Sequence, residues 1–476
     1  MKTIKLYSLI MLLSILFGCS EDAMDTINNN PNNPKKVESR FILTDVMTST
    51  AFSITGSDYA FYSSVYMELN VGIWGQMYNA EKRLVDPASA TTYNNSWNAQ
   101  YRNLYELKTS IEQCSENGPE KGNFVNLGIS QILFAYNLAM LTDLMGDIPV
   151  TEALQPGKVY QPRIDKQEAV YTEVFRLLDE AILNLGKATT YPSIGNQDLI
   201  YKGDKAKWIK AANALKARFT MRLSFRSAKY DKVIEYANAS FTGAAEELKY
   251  TYTGSASVNP FSRFFQDRNY FGASKSLSDK LTERNDPRSA KFFKPATGQS
   301  SVIFAPNGNP EQRQAYYGYS GLTSVTAPTY LMSYHELQFL KAEALVRSTP
   351  SQVAAAETEL VKGIQAAFVK VGLTATDATT YYNNNVKARF DANPLKEIMI
   401  QKYLASYEDE GIEAYNDYRR LKAMGDDLIT LASTLQFPQR FTYGSSDVTT
   451  NPNVRNAYGD GSYVYTEKVW WAGGTR

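Results

Sequence analysis

"DKQEAVYTEVFRLLDEAILNLG", residues 165–186, decides the fold class. Its apolar residues Tyr171, Val174, Phe175, Leu178, Ile182 and Leu185 recur at steps of 3, 1, 3, 4 and 3, which is one face of an amphipathic helix. Asp165, three residues before Glu168, predicts a capping box, and Gly186 predicts the stop. The same periodicity predicts helices near 38–54, 57–80, 90–116, 122–145, 204–226, 229–240, 329–348, 352–372 and 394–424. The segment 122–145 should end at Gly146, and Pro149 bars its resumption. Short turns between successive helices imply antiparallel pairs, as in helical repeat arrays. No 34-residue identity repeat is present, so helix pairing carries that expectation.

Two stretches leave the pattern. Residues 241–328 are rich in Gly, Ser, Asn, Pro and Tyr and predict only a short helix near 275–284. Residues 437–466, "FPQRFTYGSSDVTTNPNVRNAYGDGSYVYT", are similar. Loops this long are functional or disordered, and their aromatic content argues against disorder.

The N-terminus predicts export. Lys2 and Lys5 precede a twelve-residue apolar run, Leu6–Phe17, too short to span a bilayer and of signal-peptide length. Leu16, Gly18 and Cys19 resemble the lipobox of bacterial lipoprotein signals, so residues 1–18 read as a signal peptide and Cys19 as the lipidated first residue of the mature chain. "SEDAMD", residues 20–25, resembles the surface-export signal of Bacteroidetes lipoproteins. Residues 19–36, with "NNNPNNPKK" at 28–36, read as a flexible tether, and residues 37–476 as the folded body. As a coil, sixteen residues span roughly 20–25 Å, so the body sits near the membrane yet can pivot.

Removing Lys2 and Lys5 takes the formal charge from +1 to −1, and no basic stripe points to nucleic acid. With Cys19 acylated, Cys114 has no disulfide partner and reads as a small packed helix residue. The single histidine, His335, removes most general-base schemes. "HELQF" opens like a zinc-protease helix but has Phe339 at the second ligand position, so His335 reads as a packing or surface residue. Phosphate-binding glycine loops and EF-hand loops are absent from the sequence, and no cofactor is expected. "YEDEGIEAYNDYRR", residues 407–420, offers Glu408, Asp409, Glu410, Glu413 and Asp417 on a helix shared with Arg419 and Arg420. The i,i+3 spacing of Asp417 and Arg420 favours an ion network over a glycosidase pair.

Aromatic residues are abundant, with 33 Tyr against 22 Phe, so many rings keep a polar handle suited to sugar faces as well as to cores. Two clusters are candidate ligand contacts. "WGQMYN", residues 74–79, places Trp74, Gln76, Tyr78 and Asn79 where a helix pattern ends. "QAYYGYSG", residues 314–321, places Tyr316, Tyr317 and Tyr319 in a glycine-containing loop before a helix. Trp97 and the pair Trp470–Trp471 read as core or tail-docking residues.

Taken in order, these pieces resemble SusD/RagB-type outer-membrane lipoproteins, in particular the divergent SusD-like subfamily. The resemblance rests on the lipobox and "NNNPNNP" tether, "LTDLMGDIPV" (141–150), "WIKAANALKARFTMRLS" (208–224), "NDPR" (285–288), "SYHELQFLKAEAL" (333–345), "IMIQKYLASYEDEGIEAYNDYRR" (398–420) and "FPQRFTYGSSDVTTNP" (437–452). His335, Tyr415 and Leu421 depart from the usual Ala, Trp and Thr at framework positions. The resemblance implies a mainly α fold, a TPR-like helix-pair superhelix with a loop-rich, partly irregular ligand-facing region. It implies no catalysis, a SusC-like TonB-dependent transporter as partner, and a nutrient ligand, an oligosaccharide most often. A peptide binder, a lipid-anchored glycoside hydrolase and a non-binding scaffold of the transporter remain as alternatives.

Overall fold

The computed structural model describes residues 37–476. The signal peptide, the tether and Cys19 lie outside the described residues. Helices α1 (Ser39–Ser49), α2 (Asp58–Tyr66) and α3 (Gly75–Glu81) lead into the long pair α4 (Asn94–Cys114) and α5 (Phe124–Met145). Then follow α6 (Gln167–Gly186), α7 (Lys205–Arg222), α8 (Tyr230–Asn238), α9 (Pro260–Arg268) and α10 (Lys275–Glu283). The last long helices are α11 (Tyr334–Arg347), α12 (Val353–Lys370), α13 (Pro394–Ala405) and α14 (Gly411–Met424). Neighbours in this series pack on one another: α4 on α5, α5 on α6, α6 on α7, α7 on α8, α8 on α11 and α11 on α12. The result is the helix pairing that the periodicity implied, in the mainly α, TPR-like fold that the resemblance implied.

Two glycines set the closest pairings. A Cβ on Gly128 of α5 would stand 2.5 Å from Leu185 Cγ of α6, and one on Gly363 of α12 would stand 2.8 Å from the Phe339 ring of α11. Only a bare Cα lets these axes approach so closely. α5 is apolar nearly all round. By length and composition it could cross a membrane, but 89% of its most apolar 18-residue window is buried inside the protein, so here it is the core helix.

Among the described residues, six short strands form three antiparallel two-stranded ribbons. β1 (Asn70–Gly72) pairs with β3 (Phe271–Ala273), β2 (Leu248–Tyr250) with β6 (Thr329–Met332), and β4 (Phe293–Lys294) with β5 (Tyr319–Ser320). The first two tie the irregular stretch 241–328 to the chain on either side of it, and the third closes within it.

Several local expectations are corrected. The predicted helix 57–80 breaks into α2, β1 and α3, because Glu68 turns the chain at φ 58° and residues 70–72 pair with β3. The predicted helix 329–348 opens as β6 and becomes helical only at Tyr334. The predicted helix 394–424 is two helices, broken where Glu408 takes φ 74°. Glu408, Asp409 and Glu410 therefore precede α14 rather than ride on it. Helical turns between Ala375 and Ala392 were not anticipated, nor was α9, nor the short helices within 445–466.

The capping box at 165–168 does not form. Asp165 instead accepts the N–H groups of Val150 (2.8 Å) and Thr151 (2.9 Å), and α6 begins after Lys166. Asp147 caps the helix from outside by accepting the Gln167 N–H at 2.9 Å. Tyr171, Val174, Leu178 and Leu185 are buried as the period requires, and α6 ends at Gly186.

The motifs that carry the family resemblance meet in the interior. Arg218 and Arg222 of α7 reach Glu336 of α11 and Glu413 of α14, with Arg218 Nε 2.9 Å from Glu336 Oε1. Arg420 of α14 grips both oxygens of Glu343 at 2.7 Å and Asp417 at 3.0 Å. Asp417 also meets Lys402 Nζ at 2.6 Å. Arg288 binds Asp286 and, at 2.9 Å, Gln401; Arg284 meets Glu397 at 3.0 Å. Each of these side chains is buried. The sulfur-bearing Cys114 is buried too, and burial pushes its thiol up to about 12.

The other interior expectations hold. His335 is 2% exposed, its Nε2 2.5 Å from Glu410 Oε2. Trp97 and Trp471 are fully buried, and Trp471 N–H donates to Gln167 Oε1 at 3.0 Å, docking the C-terminal turn on α6. Gly146 ends α5 at φ 84°, beneath the Arg440 guanidinium.

Candidate functional site

β1 delivers the chain to Trp74 in extended conformation (φ −157°, ψ 155°), and the helix α3 starts immediately after it. The "WGQMYN" stretch therefore begins a helix instead of ending one. Gly75 permits the change of direction: its φ is 52°, and a Cβ there would stand 2.6 Å from the Tyr270 ring. Glycine is needed on both counts. Trp74 is left 37% exposed, and Gln76, Tyr78 and Asn79 are half-buried.

The second cluster lies against the first. Ile73 N–H donates to Tyr270 O at 2.9 Å. The Gly272 Cα faces Ile73 and Tyr317 together, since a Cβ there would lie 2.8 Å from Ile73 Cγ2 and 3.1 Å from Tyr317 Cβ. Tyr317 packs with Val71, Ile73 and Ala305 in a small separate core. It is 5% exposed, and its hydroxyl accepts the Glu311 N–H at 3.0 Å. Tyr316 is half-buried, edge-on to Tyr317 (5.0 Å, 75°), with the Arg313 guanidinium 3.6 Å over its ring. Tyr319 belongs to β5 and stacks on Phe265 of α9 (4.8 Å, 28°), so its stretch leads into a ribbon and not into a helix.

The fold thus gathers Trp74, Tyr270, Tyr316 and Tyr317 around one ribbon edge, while Tyr319 is held by Phe265. Tyr270, Arg313 and Gln314 were missed by sequence reasoning. Gln314 Nε2 donates to Arg268 O at 2.6 Å, and Arg268 lies 5.8 Å from the Tyr270 ring. Tyr270 sits in "DRNYFG" (267–272), which shows no local signal; its place is fixed by the β1–β3 register. Half-exposed rings with amide and guanidinium groups beside them can stack on the C–H faces of a sugar and bond its hydroxyls.

The carboxylates at 408–417 are placed differently. Glu408, Glu410, Glu413 and Asp417 are buried and Asp409 is half-buried. Glu413, Asp417 and Glu410 carry ion pairs and are held below the usual carboxylate range by neighbouring cations against the opposing pull of burial. Glu408, without a cation, is pushed up to about 7 by burial. This is the ion network anticipated from the spacing.

A separate cleft of about 610 Å³ lies between α6, the end of α7 and the start of α8, lined by Phe175, Tyr236, Lys229, Asp231 and Trp470. It is the chief rival location for a ligand.

A helical body of stacked pairs, with a ribbon-tied loop region presenting rings, defines a TPR-like helical protein. The chain belongs to the SusD-like family, described as starch-binding and associating with the outer membrane, which matches residues 31–444. Among solved structures, a SusD/RagB family protein from Bacteroides thetaiotaomicron is 42% identical, with a TM-score of 0.88 over 93% of this chain and 100% of that one. A chitin-binding SusD homolog from Flavobacterium johnsoniae is 18% identical (TM-score 0.73, covering 91% of this chain and 98% of the other). Another chitin-binding protein is 22% identical (TM-score 0.72, covering 91% and 99%). At those identities the last two show the shared fold alone. No curated protein matches the chain.

Proposed function

We propose that the protein is a cell-surface nutrient receptor, binding a glycan without turnover. It acts as the lid and capture subunit of a SusC-like TonB-dependent importer, anchored through lipid on Cys19. Family membership supports the outer-membrane setting and the class of ligand. The observation that carries the binding reading is the half-exposed Trp74, packed at the same ribbon edge as Tyr270, Tyr316 and the Arg313 guanidinium. The tether then lets the body swing as a lid while remaining attached, which keeps its effective concentration at the importer high.

The test is isothermal titration of maltoheptaose and chitohexaose with the full chain, followed by product analysis. Binding with no released sugar is expected. Trp74→Ala should weaken it by about tenfold or more, the usual cost of removing a stacked anchor ring. Loss of binding in Trp470→Ala with Trp74→Ala unaffected would move the site to the 610 Å³ cleft.

A further inference from the structure

Helix α3, which carries Gln76, Tyr78 and Asn79, ends on Glu81, a carboxylate only 2% exposed. Its Oε2 accepts the backbone N–H of Gly72 at 3.2 Å, and its Oε1 accepts that of Gly308. Gly72 is the last residue of β1, two before Trp74. Gly308, at φ 76°, lies on the loop that runs on to Tyr316 and Tyr317. Next to this bridge, Lys82 Nζ donates to Asn309 Oδ1 at 2.6 Å. Glu81 and the C-cap residue Lys82 thus grip two adjacent residues of the loop.

We infer that Glu81 is a positioning residue for ligand: by holding Gly72 and Gly308 on its two oxygens it fixes the distance between Trp74 and the loop bearing Tyr316 and Tyr317. The inference rests on the reading of that ring edge as the ligand surface.

The residue type supports the role. Bridging two N–H donors needs two acceptors and no donor, which a carboxylate supplies and a carboxamide does not. Burying that charge is costly. Burial raises its proton affinity so that it titrates at about 7, with Arg83 and the two N–H groups opposing and Glu68 adding to the rise. A side chain kept for packing alone would be apolar here. A second buried carboxylate meets the far end of the same loop region, where Glu408 accepts the Thr323 hydroxyl at 2.8 Å.

Hydrogen exchange of the full chain tests the bridge without any ligand. In Glu81→Gln, which keeps the shape, peptides covering 303–317 should exchange about 10- to 100-fold faster, the factor expected from losing one charge-assisted bond. Peptides of α5 and α6 should be unchanged. In the wild type, protection of the Gly308 amide, corrected for intrinsic rate, should fall as pH drops through about 7 and Glu81 takes up its proton. The neighbouring charged groups Arg83, Glu68 and Lys82 are common to both proteins and the Glu81→Gln side chain cannot take up that proton, so the variant's profile should be flat.

Titration with maltoheptaose and chitohexaose completes the test, with Glu81→Gln weakening whichever probe the wild type binds. Unchanged exchange at 303–317, or faster exchange there with affinity intact, overturns the inference. So does faster exchange spread over the whole chain. Wild-type affinity in Trp74→Ala instead sinks the underlying site reading, and Trp74→Ala deficient beside an intact Glu81→Gln sinks this one alone.

Discussion

Arg420→Met examines whether the interior ion network is a structural necessity. Arg420 is 0% exposed and contacts Glu343 at 2.7 Å through both terminal nitrogens and Asp417 at 3.0 Å. Removing one member of a buried pair costs about 3–5 kcal/mol, because the other charge is left in a low-dielectric site. Here the orphans keep one cation each, Arg347 at 2.7 Å from Glu343 and Lys402 at 2.6 Å from Asp417. The lower end, about 3 kcal/mol, is therefore expected. With unfolding entropy of about 2 cal/mol/K per residue over roughly 440 residues, that lowers Tm by about 3 °C. Urea unfolding gives the same quantity independently.

The pH dependence has a definite sign. Burial opposes ionisation of both carboxyls, but the cations overcome it and hold Glu343 and Asp417 below their ordinary values of 4.5 and 3.8. Such groups stabilise the fold above those values and lose that contribution as pH falls through the folded-state values. The gap between wild type and Arg420→Met should therefore be full at pH 7 and narrow below about pH 4. Arg420→Lys, which keeps the charge but loses the fork, should fall between the two. A Met variant within about 1 kcal/mol of wild type at pH 7, or a gap that does not narrow in acid, refutes the reasoning.

Glu408→Gln should behave in the opposite sense: the carboxyl is raised from 4.5 to about 7 by burial, so wild-type stability falls as pH rises from about 4.5 through about 7, and the variant should gain up to about 3 kcal/mol over wild type at pH 8 compared with pH 5 by urea unfolding. Gly363→Ala should lose about 1–3 kcal/mol despite the better helix propensity of Ala, since its Cβ meets the Phe339 ring at 2.8 Å, and Phe339→Leu should restore part of the loss in the double variant. In a Cys19→Ser full chain, the Cys114 thiol should be silent to a disulfide reagent at pH 8 until denaturant is added, because it is buried and titrates at about 12.

Helix periodicity made the long pairs legible, because α6 and its neighbours bury one face and the 3.6-residue period records which. It failed at residues 70–72 and 329–332, where apolar runs join strands whose partners lie up to two hundred residues away. The capping box failed for a related reason: Asp165 and Asp147 exchange roles across the turn after Gly146, and spacing cannot say which carboxylate caps which helix. At the ring edge, Trp74 and Tyr316 were visible as aromatics beside glycine. Tyr270 was not, since only β-register brings it under Gly75. Glu81 showed no sign either, because its partners are backbone amides and leave no side-chain pattern to read.

The buried charges also constrain how such a chain can drift. Arg420, Glu343, Asp417, Lys402 and Glu336 are linked so that altering one strands another, and acceptable change must arrive in matched sets. Trp74 and Gln76 carry no comparable obligations. Sequence turnover can thus run fast at the exposed ring edge and slowly beneath it, letting one inherited chassis carry a different surface without being rebuilt.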